Sequence, residues 1–328
     1  MHTLNLHLML ETIRHQQILV CPSCHGHLDT SQIIECRQCN ILFRRNQYGF
    51  IEFVEDQSTT EKDTTSNKYA KIQEFCGTKV YHDYLKPFLL REPCHRILDV
   101  GCGIGKGISI LRADGYDAYG VDLPCLSKFW DDVDNNPSYF FCCDTASLPF
   151  PDNFFDAVYS LGVIEHIGTV IGHCTLSDNY WEARQQYANE ILRVTKLGGR
   201  ILIASPNKSF PIDVQHGPSD QWSPKYTVRN YIFNKTGMNI HRTWGKYHLL
   251  SYSEIKRLFG TSGGTQTLEA LPLKGYFGFS NFQTGFLKIF LTLVQLYLNN
   301  LPKLLRSSFL NPYILLQIKK RLSNYGKS

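Results

Sequence analysis

From residue 271 to the end of the chain there is no aspartate or glutamate. That absence excludes ion pairs formed within the segment itself. Residues 221–328 carry 15 Lys and Arg against only Glu254 and Glu269, whereas residues 1–220 carry 19 Lys and Arg against 27 Asp and Glu. The formal net charge of +5 thus hides an acidic two thirds and a basic third. A split of this kind points to an anionic partner for the C-terminal third, a phospholipid surface or RNA.

Long apolar runs are also missing. Residues 282–298 (FQTGFLKIFLTLVQLYL) are too short, and Lys288 and Gln295 too polar, for a span of roughly twenty apolar residues. Asn299, Asn300 and Pro302 break the run, and a second apolar piece, 313–318, leads into Lys319, Lys320 and Arg321. Both pieces read as helices flanked by cations. They suit contact with one membrane leaflet, a lid over a hydrophobic substrate, or packing on the domain itself. Residues 1–10 have neither a basic start nor a continuous apolar core, so no secretory signal is read there. The eleven cysteines are therefore expected to be reduced, buried or metal-bound, in a cytoplasmic setting with peripheral membrane contact. With 43% hydrophobic and 19% charged residues, 328 positions suffice for a large globular domain with an appendage, or for two domains.

Four of the cysteines form two C-x-x-C pairs, Cys21/Cys24 and Cys36/Cys39. Two tight turns at this spacing can present four thiolates to a tetrahedral Zn²⁺, and four protein ligands make a structural rather than a catalytic site. Free buried cysteines and a redox pair are the alternatives. His25 and His27 are spare ligands nearby.

The densest signal is 96–107, RILDVGCGIGKG. Ile97, Leu98 and Val100 suit a buried strand, Gly101, Gly103 and Gly105 follow at once, and 104–111 reads as the start of a helix. Strand, glycine turn and helix together present backbone N–H groups and the positive end of a helix dipole to a ligand. Asp99 lies two residues before the first glycine. A second strand ends at Asp122, roughly twenty residues past Gly101, where an acid can bond ribose hydroxyls. A third strand over 139–143 ends at Asp144 and Thr145, and a fourth over 155–160 ends at Ser160. Polar tips after successive strands belong on the ligand-binding edge of a doubly wound α/β sheet. A helix over 178–195 closed by the glycines of KLGG, a fifth strand over 200–204, a capped helix over 251–259 and a late strand over 268–273 complete the pattern.

Two further groups carry possible chemistry. His166 follows the fourth strand and is a candidate base or a histidine bonded to backbone. Asp213 and His216, three residues apart just past the fifth strand, can serve as a base pair or cap a turn. Aromatic residues, among them Trp222, Tyr226, Tyr231, Phe233 and Trp244, give the 205–250 insert mass to cover a substrate.

ILDVGCGIG, YGVD, CCDTASLPFPDNFFDAVYSLGVIEHI and EILRVTKLGGRILIASPN resemble, in order and spacing, the motifs of class I S-adenosylmethionine-dependent methyltransferases over about 69–206. The nearest likeness is to those acting on quinones, lipids and other small molecules. The resemblance implies a Rossmann-like sheet in which Asp99 and the glycines cradle the methionine part, Asp122 holds the ribose and Asp144 meets the adenine amino group. It also implies that the 161–167 loop lines the boundary between cofactor and substrate, and that the aromatic helical stretch 68–90 lies over the cofactor pocket, with Tyr69 and Tyr81 either touching cofactor or packing. The segments LVCPSCHGHL and IECRQCNILFRRNQYGFIEFV resemble the zinc ribbon fused to some methyltransferases and the zinc-binding activator subunit of others. The expected layout is a zinc ribbon over 1–56, a linker over 57–67, a methyltransferase domain over 68–275 and a basic, apolar helical extension over 276–328. The implied function is methyl transfer to a small, hydrophobic or lipid-linked acceptor at oxygen or carbon. An RNA methyltransferase gripping RNA through ribbon and tail is the first alternative, although an Asn-Pro-Pro-Tyr-type motif is lacking where 160–163 reads SLGV. A cofactor-fold binding module without activity is the second.

Overall fold

The computed structural model describes residues 18–30, 33–54, 67–130, 137–170, 175–218, 225–260, 266–274 and 286–321. Residues 1–17 of the expected ribbon, Trp222, and the expected linker except Asn67 lie outside the described residues.

The chain runs β1 (Ile34–Cys36), β2 (Ile41–Arg45), β3 (Ile51–Glu52), α1 (Asn67–Val80), β4 (Arg96–Val100), α2 (Lys106–Ala113), β5 (Asp117–Asp122), β6 (Phe140–Cys142) and β7 (Phe155–Leu161). Then come the short strands β8 (Thr169–Val170) and β9 (Thr175–Leu176), α3 (Tyr180–Val194), β10 (Thr195–Pro206), β11 (Ile212–Asp213), α4 (Tyr226–Thr236) and β12 (Asn239–Ile240). The last elements are α5 (Tyr252–Gly260), β13 (Thr267–Ala270), α6 (Phe286–Asn299) and β14 (Tyr313–Lys319). Ten strands form one sheet in the order β1-β2-β3-β6-β5-β4-β7-β10-β14-β13. From β3 to β10 the neighbours are parallel, and β14 is antiparallel to both β10 and β13. The order turns back on itself between β4 and β7, which opens a crevice at their carboxyl ends.

Alternation along the strands builds two apolar layers. Leu98, Val100, Val158, Ile201, Ile203, Ile314 and Leu316 face α3 and α5, whose Tyr187, Ile191, Ile255 and Phe259 complete that core. Ile97, Ala157, Leu202, Ala204 and Leu315 face the other way, onto Ile108 and Leu111 of α2 and the aromatic stretch after α1. There a π-turn, Tyr81–Leu85, leads into the helical turn Lys86–Leu89 and buries Tyr81, Tyr84 and Phe88. Tyr81 bonds Asp114, so of its two expected roles it takes packing.

The ribbon and the C-terminal segment depart from the expected layout. The ribbon is not a separate bead: β3 pairs in parallel with β6, with Ile51 opposite Phe141, and the Phe53 N–H continues onto the Cys142 carbonyl at 2.8 Å. Without it β6 would be an edge of unpaired backbone groups. Phe50 packs edge-on to Trp130, 5.1 Å between ring centres, and Asn46 donates to the Ser127 hydroxyl at 2.9 Å. At the other end, α6 is helical as expected, but 313–318 is a strand. β14 pairs with β10 from Arg200 opposite Lys319 to Pro206 opposite Tyr313. Its apolar run is buried on both faces, as an interior strand requires. The central sheet therefore closes beyond residue 275, the expected end of its domain, with β14. Likewise KLGG does not cap α3. Thr195 is already extended, and 196–199 bulges within β10, with Gly198 at φ +80°.

Candidate active site

The glycine turn stands at the carboxyl end of β4 and leads into the N-terminus of α2. Gly101 sits at φ +85° with its Cα against the Val163 side chain, and Gly103 at φ +57° beneath Gln73 of α1. A Cβ at Gly101 would drive into Val163, and one at Gly103 into the Gln73 amide. Left-handed backbone and close approach both call for glycine here. α1 thus covers the turn as expected, and Gln73 accepts the Ile104 N–H at 3.3 Å.

Asp122, at the tip of β5, accepts from the Gly103 N–H at 2.6 Å and from the Leu123 N–H at 2.8 Å, which holds its carboxylate over the turn. Asp99 is buried beneath it. Burial, aided by the Asp122 charge, pushes its carboxyl up to about 8, while the Tyr159 hydroxyl works in the opposite direction. A Cβ on Gly107 would reach 2.8 Å from that hydroxyl and 3.4 Å from Asp99 Oδ2, so the absent side chain keeps both groups close to the start of α2. Two carboxylates at the tips of adjacent strands, around N–H groups at a helix start, match a ligand with an ammonium, a sulfonium and a ribose diol. S-adenosylmethionine is such a ligand. Asp144 is exposed at the tip of β6, where its Oδ1 accepts the Ala146 N–H at 2.8 Å, with Thr145 beside it. Ser160 departs from the expectation. Its buried hydroxyl donates to the Val100 carbonyl at 2.6 Å, which ties β7 to β4 below the rim rather than facing a ligand.

The residues expected to handle the acceptor do come together. The 162–167 loop, resting on Gly101 through Val163, brings His166 to 5.1 Å from the His216 ring, centre to centre. Asp213, fully buried on β11, accepts the Gln215 N–H on Oδ1 and faces His216 Nδ1 through Oδ2, both at 2.8 Å. One Asp213 oxygen is thus engaged by the turn backbone and the other by the His216 ring. Burial pushes the His216 imidazole down, but Asp213 and Glu165 reverse this and hold it above its ordinary value. Asn239 on β12 fixes the same turn, donating to the His216 carbonyl at 3.0 Å.

Three members of this cluster were not read from the sequence. Glu165 is 1% exposed, and among the described residues neither of its carboxylate oxygens has a hydrogen-bond partner. Ser205 donates to the Pro206 carbonyl at 3.2 Å instead, and burial raises the Glu165 carboxyl. His248 is fully buried 5.2 Å from the His216 ring, with neither ring nitrogen partnered among the described residues. Arg184 of α3 is the third. Its guanidinium, 2% exposed, donates to the His248 carbonyl at 2.6 Å, the Ile167 carbonyl at 3.0 Å and the Glu165 carbonyl at 3.3 Å. One buried cation thus clamps the two histidine-bearing loops together. The sequence signal for Glu165 was its place beside His166; for His248 and Arg184 there was none.

In the ribbon, the Sγ atoms of Cys21, Cys24, Cys36 and Cys39 all lie within 4.8 Å of one another, with Cys21–Cys39 at 3.9 Å and Cys24–Cys36 at 3.6 Å. The Gly26 and Cys39 N–H groups point at Cys24 and Cys36 sulfurs, each at 3.4 Å, and His25 and Asn40 turn the chain at φ 56° and 59°. His25 lies 3.9 Å from Glu190 instead of joining the sulfurs.

Residues 98–203 match the family described as a methyltransferase domain. The chain is 30% identical over 144 residues to 2-methyl-6-phytyl-1,4-hydroquinone methyltransferase of Synechocystis sp., a match covering 40% of this chain and 41% of that protein. It is 27% identical to the tRNA U34 carboxymethyltransferase of Hydrogenovibrio crunogenus, covering 52% of this chain and 56% of that one. The chain thus spans well under two thirds of the length of these curated relatives. A chain from the complex between the Haloferax volcanii Trm112 methyltransferase activator and its putative methyltransferase aligns at 16% identity and a TM-score of 0.45, covering 80% of this chain and 99% of that one. With its matching motifs, doubly wound sheet and glycine turn between two strand-tip carboxylates, the chain carries a methyltransferase domain of the class I S-adenosylmethionine-dependent type.

Proposed function

We propose that the protein transfers a methyl group from S-adenosylmethionine to a small, hydrophobic or lipid-linked acceptor at oxygen or carbon. The observation that carries this reading is the direct packing of the acceptor-side cluster on the cofactor turn, through Val163 on Gly101. When bound, S-adenosylmethionine supplies an electrophilic methyl on a sulfonium. The chain's part is alignment and exclusion of water. Gly101, Gly103 and Gly105 leave room for the methionine end, Asp99 faces its positive charge, and Asp122 takes the ribose hydroxyls. Asp144 and Thr145 border the adenine. Glu165, His166 and His216 line the acceptor side of the cofactor turn, with Asp213 and Arg184 keeping them in place.

The four sulfurs suit a structural zinc. Zn–S bonds of about 2.3 Å make a tetrahedron with edges of roughly 3.8 Å, the spacing found here between paired sulfurs. Among the described residues no helix is long and apolar enough to cross a membrane. α6 nonetheless exposes Leu293, Leu296 and Tyr297, and Leu304 and Phe309 follow it. That apolar face on an acid-free segment supports a peripheral contact with an anionic membrane surface, in a cytoplasmic setting, through which a lipid-like acceptor reaches the site.

The test is methyl transfer from radiolabelled S-adenosylmethionine into a host lysate lacking this protein, split into lipid, RNA, protein and small-molecule fractions. Label is expected in the organic-soluble fraction. Label in RNA would overturn the acceptor class and make ribbon and tail a nucleic-acid grip.

A further inference from the structure

Beside the cofactor turn, a buried carboxylate and three imidazoles converge. Among the described residues, neither oxygen of Glu165, which is 1% exposed, and neither ring nitrogen of the fully buried His248 has a hydrogen-bond partner. The ligand atoms of Glu165, His166 and His216 all lie within 4.8 Å of one another, and so do those of Asp213, His216 and His248. A buried carboxylate without a donor is unfavourable unless a cation meets it. We propose that Glu165, His166 and His216 bind a divalent transition-metal cation, distinct from the ribbon's, which holds the acceptor oxygen beside the methyl donor. The inference rests on the methyl-transfer reading for the role of the ion, but not for its binding.

Three features converge on this site. Two histidines and one carboxylate on one side of an ion are a recurring set for divalent iron, manganese or zinc, and leave coordination positions open. His216 already turns Nδ1 to the Asp213 carboxylate at 2.8 Å, which frees its other nitrogen and gives the carboxylate–histidine pairing usual behind a metal-bound imidazole. Arg184 then contributes positioning from the backbone side, since it grips the carbonyls of Glu165 and Ile167, on either side of His166, and of His248. His248 lies behind His216, against Asp213.

A cation here favours a particular acceptor class, a phenol or enol. Its O–H loses the proton to water on binding the ion, because a divalent cation stabilises the oxyanion. The oxygen's lone pair then forms the bond to the methyl carbon, while the carbon–sulfur bond breaks and leaves its electron pair on sulfur.

The test is a titration of the purified full chain, ribbon loaded with zinc, with Mn²⁺ alone, following the six-line resonance of the free ion. Wild type is expected to take up one Mn²⁺ per chain. Glu165→Gln, nearly the same shape, and His216→Ala are expected to weaken uptake at least about a hundredfold, and Asp213→Asn roughly 10- to 100-fold. Cys36→Ser is expected to leave it unchanged. Circular dichroism checks each fold, and Glu165→Gln carries the test if His216→Ala does not fold. No uptake of Mn²⁺, or of Zn²⁺ beyond the ribbon's equivalent, would overturn the inference, as would unaltered uptake by Glu165→Gln. S-adenosylhomocysteine binding, measured on the same sample, separates the two claims. Binding without metal uptake sinks only the cation, and metal uptake without binding sinks only the methyl-transfer reading.

Discussion

Replacing Arg184 by methionine keeps much of the side-chain volume and removes the charge. In the native chain this guanidinium holds three main-chain carbonyls, of Glu165, Ile167 and His248, at 2.6 to 3.3 Å, and stands 5.4 Å from the Tyr180 ring. Each bond to a charged donor contributes about 1.5 kcal/mol, so the three together approach about 4–5 kcal/mol. Burial of the cation opposes this; it is what lowers the Arg184 guanidinium to about 10. Arg184→Met relieves that cost but strands the carbonyls, for a net loss of about 2–4 kcal/mol. In a chain of this size the melting temperature should fall by roughly 3–6 °C. The assay is thermal unfolding at pH 7 by near-ultraviolet circular dichroism. Arg184→Lys should lose nearly as much, because an ammonium cannot span the same three acceptors. A fall below about 2 °C for Arg184→Met would refute the claim that this residue joins the two loops.

Glu254 and Ser251 form a capping box at the start of α5. The Ser251 N–H donates to Glu254 at 2.7 Å and the Glu254 N–H to the Ser251 hydroxyl at 3.3 Å, while Lys208 pairs with the same carboxylate. Burial pushes the Glu254 carboxyl up, but Lys208 and Ser251 hold it below the usual value. A folded value below the unfolded one stabilises above the unfolded value, and that stability is lost as pH falls through the folded value. Glu254→Gln should therefore cost about 1–2 kcal/mol in urea melts at pH 7 and much less at pH 3; an equal cost at both would sink the electrostatic account. Gly103→Ala places a Cβ against Gln73 at positive φ, so S-adenosylhomocysteine affinity should drop at least about tenfold, and native-like affinity in equilibrium dialysis would contradict the placement of the turn. Stripping the ribbon's metal with a chelator should loosen β3 from β6 and wet Trp130, which is fully buried against Phe50. Its emission should shift to the red and recover with zinc; an unmoved spectrum would mean that the ribbon stands without metal.

Much of the site was legible because its signals are local. RILDVGCGIGKG encodes a strand, a glycine turn and a helix start within twelve residues, and the acid at the next strand tip is a short, ordered distance away. The sulfur cluster was legible for the same reason, as each knuckle is a four-residue turn. The pairing of Asp213 with His216 follows from a spacing of three across one tight turn. What stayed hidden depends on distant partners. The run YILLQI reads equally as buried helix or buried strand, and it is β10, more than a hundred residues upstream, that makes it β14. Ser160 looked like a polar tip until the neighbouring strand supplied Val100 as its acceptor. Arg184 reads as one more basic residue on an amphipathic helix, and only the burial of α3 against the 165–167 and 248 loops gives it three acceptors. The ribbon's docking was invisible because β3 has just two ladder residues, and its partner strand is an edge created by the rest of the sheet.

The central claim is that the turn at Gly101–Gly105, with Asp99 and Asp122, holds the adenosyl cofactor. Isothermal calorimetry of S-adenosylhomocysteine on the purified chain and on Asp122→Ala tests it most directly. One molecule bound per chain, with affinity cut at least about tenfold in a folded Asp122→Ala through loss of hydrogen bonds to a charged group, is the result predicted. No binding to the wild-type chain, or binding indifferent to the loss of Asp122, would contradict it.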